Sequence, residues 1–120
     1  MVDGRKVHQN ALPNYQNAKI PRGKIEGYVL DPLHPVGKNK ALVFKRALGL
    51  NQSNWEILLK AIMDELPYHE AVIGKVDKYG QRYSVTIPIT GPNGKAAQVI
   101  TGWIVETGAT YPSLATARVR

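Results

Sequence analysis

Apolar side chains recur at helical spacing in the first half of the chain and at alternate positions in the second half. The clearest helical pattern lies between Ser53 and Pro67, where apolar residues return every three or four positions: Trp55, Leu58, Leu59, Ile62, Met63 and Leu66. Ser53 and Glu56 match a Ser-x-x-Glu capping box at its start. The pattern predicts a helix over this segment, with Trp55 on its buried stripe.

Two shorter helices are predicted before this one. Pro21 suits the first position of a short helix that ends at Asp31-Pro32. A second helix is predicted from about 38 to 48, with Gly49 as its C-terminal cap. Its core-facing residues are Leu42, Phe44, Ala47 and Leu48. Residues 1–19 follow neither period and are predicted to form an extended arm.

The apolar period changes to two beyond the third predicted helix, which indicates strands. Residues 71–76 and the alternating residues after Gly80 predict a β-hairpin. A turn at 91–94 leads into a third strand from about 97 to 106, apolar on both faces as expected of a central strand, and a last strand covers 114–119. We therefore expect an α+β fold in which two or three N-terminal helices pack on a four-stranded antiparallel sheet.

Composition narrows the possible functions. The 120 residues include no cysteine, which excludes disulfides, thiolate metal sites and a cysteine nucleophile. We find no phosphate-binding glycine loop, no His-Glu-x-x-His and no carboxylate cluster, so we expect neither a metal nor a cofactor. No apolar run approaches the ~18 residues of a membrane helix, and the first residues are too polar for a secretion signal.

The formal charge of +7 is unevenly distributed. Residues 1–60 hold ten basic and four acidic side chains, whereas residues 61–120 hold six and five. A basic field of this kind attracts nucleic acid, an anionic membrane surface or an acidic protein. A merely solubilising surface is the alternative.

RNA is the natural substrate for a basic protein without metal ligands, because the RNA 2′-hydroxyl is itself the nucleophile. His34 is a candidate acid or base in a proline-flanked loop; the alternative is a loop histidine hydrogen-bonded to the start of the next helix. Lys38 and Lys40 lie near that helix start, where a cation hints at a bound anion, although solvated surface lysines are the commoner case. Lys45 and Arg46 extend the same helix and are candidate phosphate contacts.

Further polar candidates lie on the predicted strands. His69 and Arg82 begin the first two strands and are candidate RNA contacts at one sheet edge, although such residues are ordinarily just exposed. Thr101, Thr116 and Arg118 lie on neighbouring strands in a region that is otherwise apolar. A hydroxyl there needs a partner or a ligand.

Residues 12–119 resemble a small uncharacterised domain that recurs at the C-termini of bacterial polymorphic and contact-dependent growth inhibition toxins and in some phage head morphogenesis proteins. The most specific part is the run His-Pro-x-Gly-x-x-Lys at 34–40. The other matching stretches are Leu12-Pro13-Asn14, Ile20-Pro21, Leu30-Asp31-Pro32-Leu33, Leu48-Gly49, Asn54-Trp55-Glu56, Gln98 to Val105 and Pro112 to Ala117. Gly102 departs from the pattern, since a larger strand residue is expected there.

The predicted order of helices and strands is also similar to that of the small metal-independent ribonucleases that include barnase, EndoU and RelE-type toxins. The resemblance implies that residues 20–120 form one ribonuclease toxin domain that inhibits neighbouring bacteria, with tRNA as the expected substrate. It implies catalytic roles for His34, Lys40, Thr101 and Thr116. It further implies delivery into the target-cell cytoplasm by a larger secreted carrier, and a cognate acidic immunity protein; a need for a host activating factor stays open.

Two other functions compete with this one. The same basic surface suits a noncatalytic RNA-binding or phage-assembly module, and the sequence does not separate binding from cleavage. The chain is less suited to be the immunity partner, because a protein that blocks a basic nuclease usually presents an acidic face to it.

Overall fold

The computed structural model describes residues 4–120 and has the predicted α+β order, with helices before a four-stranded sheet. Within this part of the chain, no helix is long and apolar enough to cross a bilayer. The helices are α1 (Arg22–Lys24), which continues as a π-helical turn (Ile25–Val29), α2 (Lys38–Leu48) and α3 (Trp55–Glu65); the strands are β1 (Ala71–Asp77), β2 (Gly80–Thr90), β3 (Ala96–Glu106) and β4 (Ser113–Val119).

The sheet is an antiparallel meander in the order β1-β2-β3-β4, so β3 is an inner strand as its two apolar faces predicted. β2 and β3 pair without interruption from Gly80 opposite Glu106 to Thr90 opposite Ala96. The β3–β4 register shifts between Gly102 and Trp103, where β4 has an extra residue. This bulge re-aims the side chains of β4.

The core lies between the helices and one face of the sheet. On β3, Val99, Thr101 and Trp103 are buried, whereas the alternate residues are partly exposed. Each large buried apolar side chain contributes about 1.5–3 kcal/mol through removal from water. The fully buried large side chains are Trp103, Phe44, Leu12, Ile25, Leu30, Leu48, Leu50, Leu58, Ile62, Leu66, Ile87 and Leu114.

The start of α3 differs from the predicted capping box. Asn51, not Ser53, is the cap: its side chain accepts from the Ser53 N–H, and the Asn54 side chain accepts from the Asn51 N–H at 2.8 Å. The helical segment therefore begins one turn earlier, as a 3₁₀ turn. Trp55 packs against the core, as its place on the apolar stripe predicted, but it is only partly buried, and the Arg22 guanidinium lies over its ring, 4.8 Å from the centroid.

The described part of the predicted arm runs along the domain. His8 N–H donates to the Pro67 carbonyl, and the Asn10 carbonyl accepts from the first residue of β1. Further on, Lys19 forms a parallel bridge with Ser113 of β4. Leu12 is buried in the core, which explains why this segment holds a fixed path. Residues 1–3 of the arm lie outside the described residues.

Candidate active site

The loop between α1 and α2 is closed by the ring of His34. Its Nδ1 accepts hydrogen bonds from the N–H groups of Val36 and Gly37, each at 3.0 Å. Because Nδ1 is an acceptor, the proton of the neutral imidazole resides on Nε2. Asp31 shapes the same loop by accepting from the Leu33 N–H at 2.9 Å. The structure thus confirms a hydrogen bond from the start of α2 to His34 and leaves Nε2–H as the donor available to a ligand.

Gly37 sets the distance between this loop and Tyr28. A Cβ at position 37 would lie 2.7 Å from the Tyr28 carbonyl oxygen and 2.9 Å from its ring, closer than real Cβ contacts. Only glycine fits at position 37 unless the loop or Tyr28 moves. The glycine of the His-Pro-x-Gly-x-x-Lys run therefore lets the N-terminus of α2 pack against Tyr28.

Lys40 and Thr116 meet at the hydroxyl of Tyr28. Lys40 Nζ donates to the Tyr28 oxygen at 3.1 Å and to Thr116 Oγ1 at 3.2 Å, and all three side chains are partly buried. Hydrogen bonding with the Thr116 hydroxyl, followed by the hydrogen bond from Lys40, holds the pKa of Tyr28 below its usual range. The His34 ring packs edge-on against Tyr28 at 4.9 Å between centroids. We call these four residues the Tyr28 cluster.

The Tyr28 cluster borders an open cleft of about 610 Å³. Lys24 adds a second cation, with Nζ 5.8 Å from the Tyr28 ring centroid. Leu33 and Val36, on the His34 loop, are 87% and 71% exposed, and Val36 lines the cleft. Cations, an imidazole donor and apolar surface are together suited to a phosphodiester with its attached nucleoside. The residues that line the cleft are Pro21, Gly23, Lys24, Gly27, Tyr28, His34, Val36 and Ala115.

Thr101 is not part of this site, although the family resemblance implied a catalytic role for it. Its side chain is fully buried, its hydroxyl donates to the Val85 carbonyl at 2.7 Å, and its oxygen accepts from Trp103 Nε1 at 2.8 Å. A substrate cannot reach it. Thr101 instead supplies the hydrogen-bond acceptor that the buried indole requires.

The predicted phosphate contacts on α2 and β4 are accessible. Lys38 lies in the first turn of α2, and Lys45 and Arg46 lie in its last turn; all three are exposed. The helix has no acidic residue to offset them. Arg118 is exposed on β4, two residues beyond Thr116. These cations lie on the two elements that supply Lys40 and Thr116.

His69 and Arg82 do not share a sheet edge. Arg82 lies beside the turn between β1 and β2, whereas His69 lies at the opposite end of β1. His69 Nε2 is 2.9 Å from a carboxylate oxygen of Glu65, and the Glu65 carboxylate also accepts two hydrogen bonds from Arg5. Hydrogen bonds from Arg5 and then His69 hold the pKa of Glu65 below its usual range. This network fastens the N-terminal segment to the end of α3.

Tyr28 is the functional candidate that sequence analysis missed. Its spacing from Ile25 and Val29 is typical of a core-facing helical residue, and those two neighbours are indeed buried. The signal available was the nearby motif at 34–40, whose glycine and lysine both contact Tyr28. Among residues 4–120, no three histidine or carboxylate side chains group as metal ligands do.

Fold and cleft together define a small α+β domain with a cationic surface site. Over residues 11–120 the chain matches the family described as "Domain of unknown function (DUF6883)", and it belongs to that family. Its fold is similar to a solved structure from Klebsiella pneumoniae 342, a contact-dependent growth inhibition toxin - immunity protein complex. The TM-score is 0.66 at 14% identity, over 91% of this chain and 98% of that chain. No curated protein matches the chain.

Proposed function

We propose that the chain is a toxin domain of a contact-dependent growth inhibition system and cleaves RNA without a metal, with tRNA as its substrate. The observation that carries this proposal is that His34, Lys40 and Thr116 all contact Tyr28, which lines a cleft together with His34 and Lys24. These residues come from a loop, a helix and the last strand. The similarity of fold to a chain of a toxin–immunity complex supports the biological context.

RNA cleavage needs little from the protein, because the 2′-hydroxyl attacks the adjacent phosphorus. The site must hold the phosphate, stabilise the charge of the phosphorane, and allow the 2′-hydroxyl to lose a proton and the 5′-oxygen to gain one. His34 Nε2–H is placed to donate to a phosphate oxygen, since Nδ1 is committed to the backbone. The ammonium groups of Lys24 and Lys40 supply positive charge beside the same cleft.

RNA outside the cleft would be held by backbone phosphates. We expect these contacts from Lys38, Lys45 and Arg46 on α2 and Arg118 on β4, which are exposed cations on the elements that carry Lys40 and Thr116. His69 and Arg82 remain candidate RNA contacts farther from the cleft. His69 lies before the start of β1, and Arg82 lies near the turn that joins the other end of β1 to β2. Such contacts supply affinity without sequence specificity.

A basic toxin has to be kept inactive in the cell that makes it. We propose a cognate acidic immunity protein that covers the loop at 34–40, where the exposed Leu33 and Val36 offer apolar anchors beside the cations. The charge of +7 favours the toxin over the immunity role for this chain. Delivery by a larger secreted carrier into the target-cell cytoplasm belongs to the same proposal.

The test is cleavage of total tRNA by the purified domain in EDTA. We expect wild type to cut, and His34→Asn and Lys40→Ala to lose at least about 100-fold in rate, the scale of one absent catalytic group. The asparagine side chain keeps an oxygen that accepts the backbone N–H groups of the loop but lacks a donor at the position of Nε2. His8→Asn is the matched control, because His8 Nδ1 accepts from Asn10 N–H in the same way, far from the cleft.

Two outcomes would redirect the proposal. Full activity in folded His34→Asn would move the catalytic site away from the Tyr28 cluster, with His69 and Arg82 the next residues to test. Absence of cleavage by wild type, even with cell extract added, would favour a noncatalytic RNA-binding or phage-assembly module.

A further inference from the structure

We propose that Tyr28 is the general acid of this site and gives its phenolic proton to the 5′-oxygen that leaves when the RNA chain is cut. The inference rests on the proposed ribonuclease function and adds to it the residue that protonates the leaving group. Tyr28 lines the cleft and contacts every other member of the Tyr28 cluster.

Hydrogen bonds direct the phenolic proton. The Tyr28 oxygen accepts from Lys40 Nζ at 3.1 Å. Thr116 is a second hydrogen-bonding partner of the Tyr28 hydroxyl, and Lys40 also donates to Thr116 Oγ1. This role requires that Thr116, like Lys40, donates to the phenolic oxygen, which leaves the Tyr28 O–H to donate to the leaving oxygen. The same two donors stabilise the phenolate that forms when that proton leaves.

His34 is unsuited to this role in the observed loop. Its Nδ1 accepts two backbone N–H groups, so the neutral ring has one proton, on Nε2. Transfer of that proton to the leaving oxygen would turn the ring into an anion. Donating a hydrogen bond through the same N–H leaves the ring neutral. His34 thus holds the phosphate and Tyr28 transfers the proton.

The step balances with solvent water as the only co-reactant. The 2′-oxygen forms a bond to phosphorus, its proton passes to water, and the bond between phosphorus and the 5′-oxygen breaks with its electron pair on that oxygen. The Tyr28 proton neutralises the leaving oxygen. The products are a 2′,3′-cyclic phosphate, a 5′-hydroxyl and a Tyr28 phenolate, which then regains a proton from water.

Charged groups around Tyr28 all favour its ionisation. Lys24 faces it from α1 and Lys40 from α2, while the loop contributes the His34 ring and β4 contributes the uncharged Thr116. No carboxylate among residues 4–120 contributes to the lowered pKa of Tyr28. An acid has to be protonated to act, so cleavage should decline as pH rises through this pKa, below the value of about 10 for free tyrosine.

The decisive experiment replaces the bridging 5′-oxygen at the mapped cleavage site of an RNA by sulfur, whose thiolate leaves without a proton. We expect Tyr28→Phe to cut the ordinary RNA about 10²- to 10⁴-fold more slowly than wild type. It should cut the sulfur-substituted RNA at nearly the wild-type rate. Tyr79→Phe, at an exposed tyrosine in the β1–β2 turn, is the control and should match wild type on both substrates.

The outcomes separate this inference from the function on which it rests. Equal loss on both substrates would give Tyr28 a structural role, and no loss on the ordinary RNA would remove it from the reaction; either overturns the inference while the ribonuclease stands. A wild-type protein that cuts neither substrate would overturn both.

Discussion

The methyl group of Thr116 occupies the space that a side chain on Gly102 would need: a Cβ built on Gly102 would lie 2.8 Å from Thr116 Cγ2. The two residues are paired across β3 and β4, next to the bulge. The glycine that departs from the expected strand pattern thus makes room for a threonine whose hydroxyl bonds Lys40 and Tyr28. The absence of a side chain at Gly102 therefore helps to set the position of the Thr116 hydroxyl beside Lys40 and Tyr28.

A double-mutant cycle tests that link. Gly102→Ala should displace Thr116 and lower the rate of RNA cleavage by about tenfold or more, because misplacing a group that positions the reaction has at least this scale. Thr116→Ser keeps the hydroxyl and removes the methyl, so Gly102→Ala combined with Thr116→Ser should recover most of the activity. Additive losses in the double variant would show that the two residues act independently.

The ionisation of Tyr28 can be measured without substrate. Tyrosine absorbance titrated with pH in wild type, minus that of Tyr28→Phe, should give a midpoint below the usual value of about 10. Lys40→Met and Thr116→Val should each raise it, because each removes a donor that stabilises the phenolate. A midpoint unchanged in both variants would contradict the hydrogen-bond geometry of the Tyr28 cluster.

Thr101 should matter for stability and not for catalysis. Thr101→Val leaves the buried Trp103 Nε1–H without its acceptor and should lower the free energy of unfolding by about 1–3 kcal/mol. Thr86→Val, on a partly exposed position of β2, is the control and should change it by less than about 0.5 kcal/mol. Urea denaturation measures both. A folded Thr101→Val protein that has lost cleavage would restore Thr101 to the active site.

The affinity for RNA should fall steeply with salt, because exposed cations replace counterions on the phosphates. Binding can be measured with His34→Asn, so that cleavage does not consume the RNA. Replacing Lys38, Lys45 and Arg46 by glutamine should reduce the slope of log affinity against log salt by about 0.7 for each phosphate that is no longer neutralised. Lys95→Gln, at an exposed turn before β3, should leave the slope unchanged. Binding insensitive to salt would exclude this mode.

Local patterns predicted most of the fold. The bounds of α2 agree with the predicted ones and with Gly49 in the left-handed conformation that glycine favours, but Ala41 is the buried residue of its first turns and the predicted core residue Leu42 is exposed. The strands agree within one residue, because alternation and turn residues both specify them. The cap of α3 was missed because Asn51 and Asn54 form a reciprocal pair one turn earlier, which competes with Ser53 for the same role.

The site was less predictable than the fold, since its geometry depends on long-range contacts. Thr101 and Thr116 are both hydroxyls on apolar strands, and the bulge in the β3–β4 pairing decides which of them meets Lys40. Tyr28 follows a helical spacing typical of a core residue, and its partner Thr116 lies on the last strand. Only the motif containing His34 and Lys40 was compact enough to be recognised.

The most direct test of the central claim is the chemistry of the RNA ends produced in EDTA. We predict that wild type cleaves tRNA at a defined nucleotide, leaves a 2′,3′-cyclic phosphate and a 5′-hydroxyl, and fails on a substrate with a single 2′-deoxy substitution at that nucleotide. His34→Asn should produce neither end, whereas His8→Asn should produce both. Cleavage of the 2′-deoxy substrate at the wild-type rate, or cleavage that stops in EDTA and returns with Mg²⁺, would contradict a metal-independent ribonuclease at the Tyr28 cluster.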